Sequence, residues 1–128
     1  MAEAGARRTI RMTAGAVSVE ATLDGSRTAT AIWNALPIEA KVETWGDEIY
    51  FPCGLDLAAE SPKPVVDMGD LGYWPPGQAF CVFFGRTPAS RGDEIRPASP
   101  VNVFGRVTGD ATVLKKVRAG TRIRIERA

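Results

Sequence analysis

Histidine does not occur anywhere in this chain of 128 residues. The commonest general base and the commonest metal ligand are therefore missing, and a triad built on histidine is impossible. Chemistry falls to carboxylates, tyrosines and the two cysteines, Cys53 and Cys81. The first promising group is Glu48-Ile49-Tyr50-Phe51. In a strand, alternation puts Glu48 and Tyr50 on one face and Ile49 and Phe51 on the other. If the apolar pair faces a core, Glu48 and Tyr50 face either water or a cleft. In a cleft they would be an acid/base beside a hydrogen-bond donor; on an open face they would be ordinary solvated side chains.

The second group lies between Gly69 and Ser90. Gly69 to Gly72 read as a turn, in which Asp70 is either a third candidate acid or a turn former. Tyr73 and Trp74 follow, and Pro75 and Pro76 stiffen what reads as a shaped loop. Such rings line a pocket or anchor the loop on the body of the protein. Ala79 to Phe84 is a short apolar run and reads as a buried strand, with Phe80, Val82 and Phe84 opposite Ala79, Cys81 and Phe83. Arg86, Thr87 and Ser90 then form a loop that can hold an anion or a carbonyl, or be plain surface. The expected site is a cleft lined by Glu48, Tyr50, Tyr73 and Trp74, with Phe84 beneath and Ser90 at the rim. Glu48, Tyr50 and Asp70 are the candidate catalytic groups. Tyr73, Trp74, Phe84, Arg86 and Ser90 are the candidate ligand contacts.

Other classes of chemistry find no support. Two separated cysteines without histidine make no structural zinc site, so neither metal nor cofactor is expected. Gly69, Gly72 and Gly77 match neither phosphate-loop spacing. The 16 basic and 15 acidic residues nearly cancel, which gives no reason to expect nucleic acid or a membrane surface as partner. No apolar run is long enough to cross a membrane, and Arg7 and Arg8 are not followed by the apolar segment of a secretory signal. A cytoplasmic setting with reduced cysteines is the expectation.

The elements that must position these residues are mostly strands. Thr9–Thr13 and Val17–Leu23 alternate around Gly15 and suggest a hairpin. Ser26 is placed to cap a helix to about Leu36, in which Ala29, Ile32, Trp33 and Leu36 form one apolar stripe; Ile32 and Trp33 are expected to be buried at one mouth of a barrel. Lys41–Trp45 and Glu48–Phe51 are strand-like around Gly46, which marks a bulge or sharp bend. Residues 52–68 form a long connection with the length of a functional loop or flap. Strands follow at 101–107 and 121–127, with a short helical turn from Asp110 to Val117 between them. The terminal strands are expected to pair, isoleucines inward and arginines outward. Residues 1–7 are expected to be loose, and the length suits a single domain. About seven or eight strands with one real helix predict a mainly β fold, a closed barrel with the helix capping an end and a short second helix.

Three stretches carry a resemblance. Trp45-Gly46-Asp47-Glu48-Ile49-Tyr50-Phe51, then Gly69-Asp70-Leu71-Gly72-Tyr73-Trp74-Pro75-Pro76-Gly77, then Phe83-Phe84-Gly85-Arg86-Thr87-Pro88-Ala89-Ser90 together resemble the small bacterial and archaeal cyclophilin-like proteins. The likeness runs from about Ile10 to Arg127 and implies the cyclophilin-type closed barrel of about eight strands. True cyclophilins isomerise X-Pro bonds with an arginine and an apolar pocket. Their arginine-centred motif, followed by phenylalanine, methionine and glutamine, has no counterpart here, so no catalytic residue carries over. The functional expectation is a barrel that binds a small apolar ligand or a peptide segment. The alternative is an isomerase or lyase that needs no metal or cofactor, with prolyl isomerisation as one version. A structural protein that works only as an oligomer is the third reading.

Overall fold

A computed structural model describes residues 8–128. The segment expected to be loose, residues 1–7, lies outside the described residues. Among the described residues nine strands form one antiparallel sheet. In chain order they are β1 (Arg8–Ala14), β2 (Val17–Leu23), β3 (Ile38–Lys41), β4 (Glu43–Thr44), β5 (Glu48–Pro52), β6 (Asp70–Trp74), β7 (Ala79–Phe83), β8 (Asn102–Val107) and β9 (Arg122–Arg127). Their order across the sheet is β3-β9-β1-β2-β8-β6-β7-β5-β4. The two ends of that list are separated in the chain only by Val42. The wall is thus closed by the chain itself, and Val42 is tied to the segment before β9 by bonds between Val42 N and Thr121 O and between Gly120 N and Val42 O. Counting β3 and β4 as one bent strand gives the eight expected.

The terminal strands pair as their pattern predicts, with Ile125 opposite Met12 and Arg127 opposite Ile10. Ile10, Ile123 and Ile125 point into the barrel, while Arg122 and Arg124 stay outside. Helix α1 (Arg27–Ala35) starts where Ser26 accepts from Ala29 N at 3.1 Å. Its Ala29 and Ile32 join the main core. Trp33 is only partly buried, contrary to expectation. It sits at the flank of the stripe, where the Arg127 guanidinium lies 4.4 Å from its ring centroid and shields the face that the core does not cover. The second helix is a 3-10 segment, Ala111–Lys116, capped by Asp110.

Gly46 marks a reversal rather than a bulge. Glu43 pairs with Tyr50 and Thr44 with Ile49, so β4 and β5 form a tight hairpin. Gly46 has φ +61 at its turn, and a Cβ there would lie 2.8 Å from Pro88 Cδ. Of the stretch 69–72 only Gly69 lies in a turn, with φ +85 inside the bond from Asp70 N to Asp67 O at 3.1 Å. Asp70–Trp74 is a strand bonded on both sides, to β7 and to β8. What overrode the glycines is burial, since Leu71, Gly72 and Tyr73 are all covered.

The long connection is a strap rather than a flap. Glu60 caps α1 by accepting from the Thr28 hydroxyl at 2.7 Å and from the backbone of Arg27 and Thr28. Asn102, fully buried, donates to Thr28 Oγ1 and Ala58 O and accepts from Glu60 N. Lys63 bridges Val101 and Val66 bridges Ile95, so this first strap pairs with a second one, residues 85–101.

Ile32 is fully enclosed in the main core. Ile32→Ala should therefore cost about 2–5 kcal/mol in denaturant unfolding, whereas Trp33→Ala should cost less than a buried aromatic usually does. A loss below about 1 kcal/mol for Ile32→Ala would place the stripe outside the core.

Candidate functional site

The two straps give the barrel a second, smaller core on its outer surface. Ala79, Cys81 and Phe83 point outward from β7 and are covered by Val66, Ile95 and Val101, with Tyr50, Trp74 and Val103 packed around them. Gly72 makes this possible. A Cβ at that position would stand 2.8 Å from Val101 Cγ2 and 3.2 Å from Phe83 Cε2, so only a glycine lets the second strap lie down on the wall.

Between the wall and the strap is a cavity of about 190 Å³, lined by Trp45, Glu48, Tyr50, Trp74, Pro97, Ala98 and Val101. Each wall is fixed locally. Glu48 and Tyr50 are outward residues of β5, held across from Phe83 and Cys81 of β7. Trp45 enters from the β4–β5 hairpin, where its N–H donates to Glu48 O at 3.0 Å. Trp74 ends β6, and its indole rests over Gly77, where a Cβ would lie 2.7 Å from the ring. Its Nε1 donates to Ser99 Oγ at 2.6 Å and so pins the strap.

Glu48 is 6% exposed. Burial raises its pKa from 4.5 to about 7, against the opposing effect of a hydrogen bond with the neighbouring Cys81 thiol. Among the described residues no lysine or arginine pairs with its carboxylate. Burial, with the Glu48 carboxyl beside it, pushes the Cys81 thiol well above its usual range, so that sulfur is not a ready nucleophile.

Of the residues singled out in the sequence, Glu48, Tyr50 and Trp74 converge on this cavity. The others do not. Tyr73 lies on the inner face of β6, where its hydroxyl donates to Leu55 O at 2.7 Å and accepts from Leu57 N at 3.0 Å. Strand alternation separates it from Trp74, which a loop would not have done. Phe84 falls on the inward parity of Phe80 and Val82 and belongs to the main core. Asp70 is outward but sits at the far end of β6, where its carboxylate accepts from Arg106 Nε at 3.1 Å and from Asp67 N at 2.8 Å. It is held there by these two bonds, away from the cavity. Arg86 is exposed and contributes its carbonyl to Asp47 N. Ser90 accepts from the amides of Thr87 and Arg96, so it knits the second strap together. Trp45, Pro97, Ala98 and Val101 line the cavity without having been singled out. For Trp45 a signal existed, because it shares a strand parity with Glu43. The strap residues carry none, since their position depends on contacts distant in sequence.

The antiparallel barrel with one main helix is the architecture that the sequence resemblance implied. The chain belongs to the cyclophilin-like family, whose model matches residues 8–126. It is also similar to the solution structure of a hypothetical protein from Archaeoglobus fulgidus, at 41% identity over 100% of both chains and with a TM-score of 0.83. No curated protein is a significant match.

The raised carboxyl pKa carries a stability consequence. Unfolded Glu48 titrates near 4.5 and folded Glu48 near 7, so between these values the native state holds the extra proton. Stability therefore falls as pH rises across that window, by about 3 kcal/mol in total. Glu48→Gln should escape this loss: its stability relative to the parent should rise by about 3 kcal/mol between about pH 4 and pH 8 in urea titrations. A difference that stays constant with pH would mean that the Glu48 carboxyl is well solvated.

Proposed function

We propose that the protein is a binding module whose outer-wall cleft takes a small, largely apolar ligand or a short peptide segment. The observation that carries this reading is the convergence of Trp45, Tyr50 and Trp74 with one buried carboxyl, Glu48, on one half-open cleft. Aromatic walls with a few polar groups are the usual lining of ligand sites. The rings are also pre-set. Pro75 and Gly77 fix the indole of Trp74, and Ser99 holds its N–H, so little ordering entropy is left to lose on binding. We place the protein in the cytoplasm, where its two free, buried cysteines would stay reduced. No helix among the described residues is long and apolar enough to cross a membrane.

A second reading has its own support. A carboxyl with a pKa near 7 is suited to give and take protons at neutral pH, and the Tyr50 hydroxyl shares its cavity. An isomerase or lyase would use Glu48 as acid/base and Tyr50 as donor. Prolyl isomerisation by a polarising arginine fits poorly, because no arginine among the described residues lines the cleft.

Titration of small aromatic and aliphatic fragments into labelled protein tests the binding reading by the indole N–H resonance of Trp74. Fragments should shift it, and Trp74→Ala should weaken the same fragments by about tenfold or more, the loss of one well-packed ring. Unmoved Trp45 and Trp74 signals across the set would contradict the reading. Glu48→Gln separates the two readings: retained binding with lost turnover of a substrate favours the enzyme.

A further inference from the structure

The carboxyl in the cleft lacks a cationic partner among the described residues. Glu48 is more than nine-tenths buried, lines the cavity, and pairs with no cation among the described residues. A buried carboxyl in that state is costly whether it stays charged or takes up a proton to become neutral. Beyond the hydrogen bond with the Cys81 thiol, the groups around it do not relieve the cost. Tyr50 on its own strand and Cys81 on β7 supply no positive charge. Glu43 on β4, opposite Tyr50, is exposed and adds negative charge nearby. Arg96 in the second strap is taken up by Glu94 at 2.6 Å. Lys115, on the 3-10 segment, faces Asp47 at 3.7 Å. Three aromatic residues, Trp45, Tyr50 and Trp74, stand around the same space.

This combination has a specific complement. Ring faces attract cations, most strongly when water is excluded, and indoles do so best. An anion would meet the Glu48 charge. A purely apolar guest would leave the carboxyl as unpaired as before. The cavity of about 190 Å³ is also small beside the roughly 300–1,000 Å³ of sites for drug-sized molecules, so it fits a head group rather than a whole large ligand. We propose that the cleft receives an organic ammonium group, with Glu48 as its counter-ion and Trp45, Tyr50 and Trp74 as its aromatic walls. The ammonium belongs to a small free amine or to a lysine side chain of a polypeptide, alkylated or not; the recognition chemistry is the same. This rests on the outer-wall cleft being a binding site and names what that site takes.

A carboxylate that must ionise to hold the cation makes binding depend on pH. The competent fraction of Glu48 grows as pH passes about 7, and apparent affinity grows with it. A neutral guest that accepts a hydrogen bond from protonated Glu48 would show the opposite slope.

Three probes test this on the intact chain by calorimetry and by the Trp74 indole resonance. They are choline, its uncharged isostere in which a tert-butyl group replaces trimethylammonium, and a capped trimethyllysine. Choline should bind about tenfold or more tighter at about pH 8.5 than at about pH 5.5, because Glu48 is mostly protonated at the lower value. It should also bind tighter than its isostere at the higher pH. Glu48→Gln should abolish both differences; should that variant fold poorly, the pH profile of the unaltered protein decides alone. Trimethyllysine binding tighter than choline would assign the head group to a polypeptide, and the reverse order to a free amine. Equal binding of choline and its isostere would overturn the ammonium assignment while leaving the cleft as a binding site. If no probe binds, the assignment is also overturned, and the neutral fragments then decide whether the cleft binds anything.

Discussion

A strand in a barrel wall has one face to the core and one to water, unless something covers the outside. In β7 all five residues from Ala79 to Phe83 are buried. Phe80 and Val82 meet the barrel interior, while Ala79, Cys81 and Phe83 meet the straps. Hiding the outer face is the constraint from which the rest follows. It demands that residues 85–101 fold back over the wall, that the first strap bridge them at Lys63 and Val66, and that Gly72 carry no side chain beneath Val101. It also draws the outward residues of the neighbouring strand β5 under cover, and one of these is Glu48.

The covering stops short of complete. Where the second strap passes Pro97 and Ala98, the outer core opens into the cavity, and the Glu48 carboxyl is left there among rings. A protein selected only for stability would replace such a group with an apolar residue of similar volume, since an unpaired buried carboxyl works against folding. Retaining it makes sense where the cost is offset by a ligand. Perturbed carboxyls collect at functional sites for this reason. By contrast, Asp70 on the same outer surface is matched by Arg106, and Glu60 by the N-terminus of α1.

Much of this was legible from alternation. The periods of β1, β2, β5 and β9 fixed which side chains face inward, and Glu48 with Tyr50 came out on the opposite face from Ile49 and Phe51. What misled was the extent of the turn at Gly69, which ends there, because tertiary burial makes a strand from Asp70 onward. That single difference moved Tyr73 to the inside of the barrel and left Trp74 alone in the cleft. The strap lining was not legible, because Pro97, Ala98 and Val101 have no periodicity. Their placement rests on Lys63, Val66 and Ser99, residues whose partners are far away in the chain or hidden in polar side chains. Ser90, Arg86 and Thr87 have binding chemistry in type, yet Ser90 and Thr87 spend it inside their own loop, with the Thr87 hydroxyl donating to Arg96 O.

The central claim is that the outer wall buries a carboxyl that has no counter-ion among the described residues. Carbon-detected NMR titration of the side-chain carboxyl of Glu48 measures this directly in the ligand-free protein. The enclosed arrangement predicts a midpoint at about 7, set by burial. A midpoint near 4.5, the value of a solvated glutamate, would mean that water reaches Glu48 freely and that the straps do not seal the wall as described.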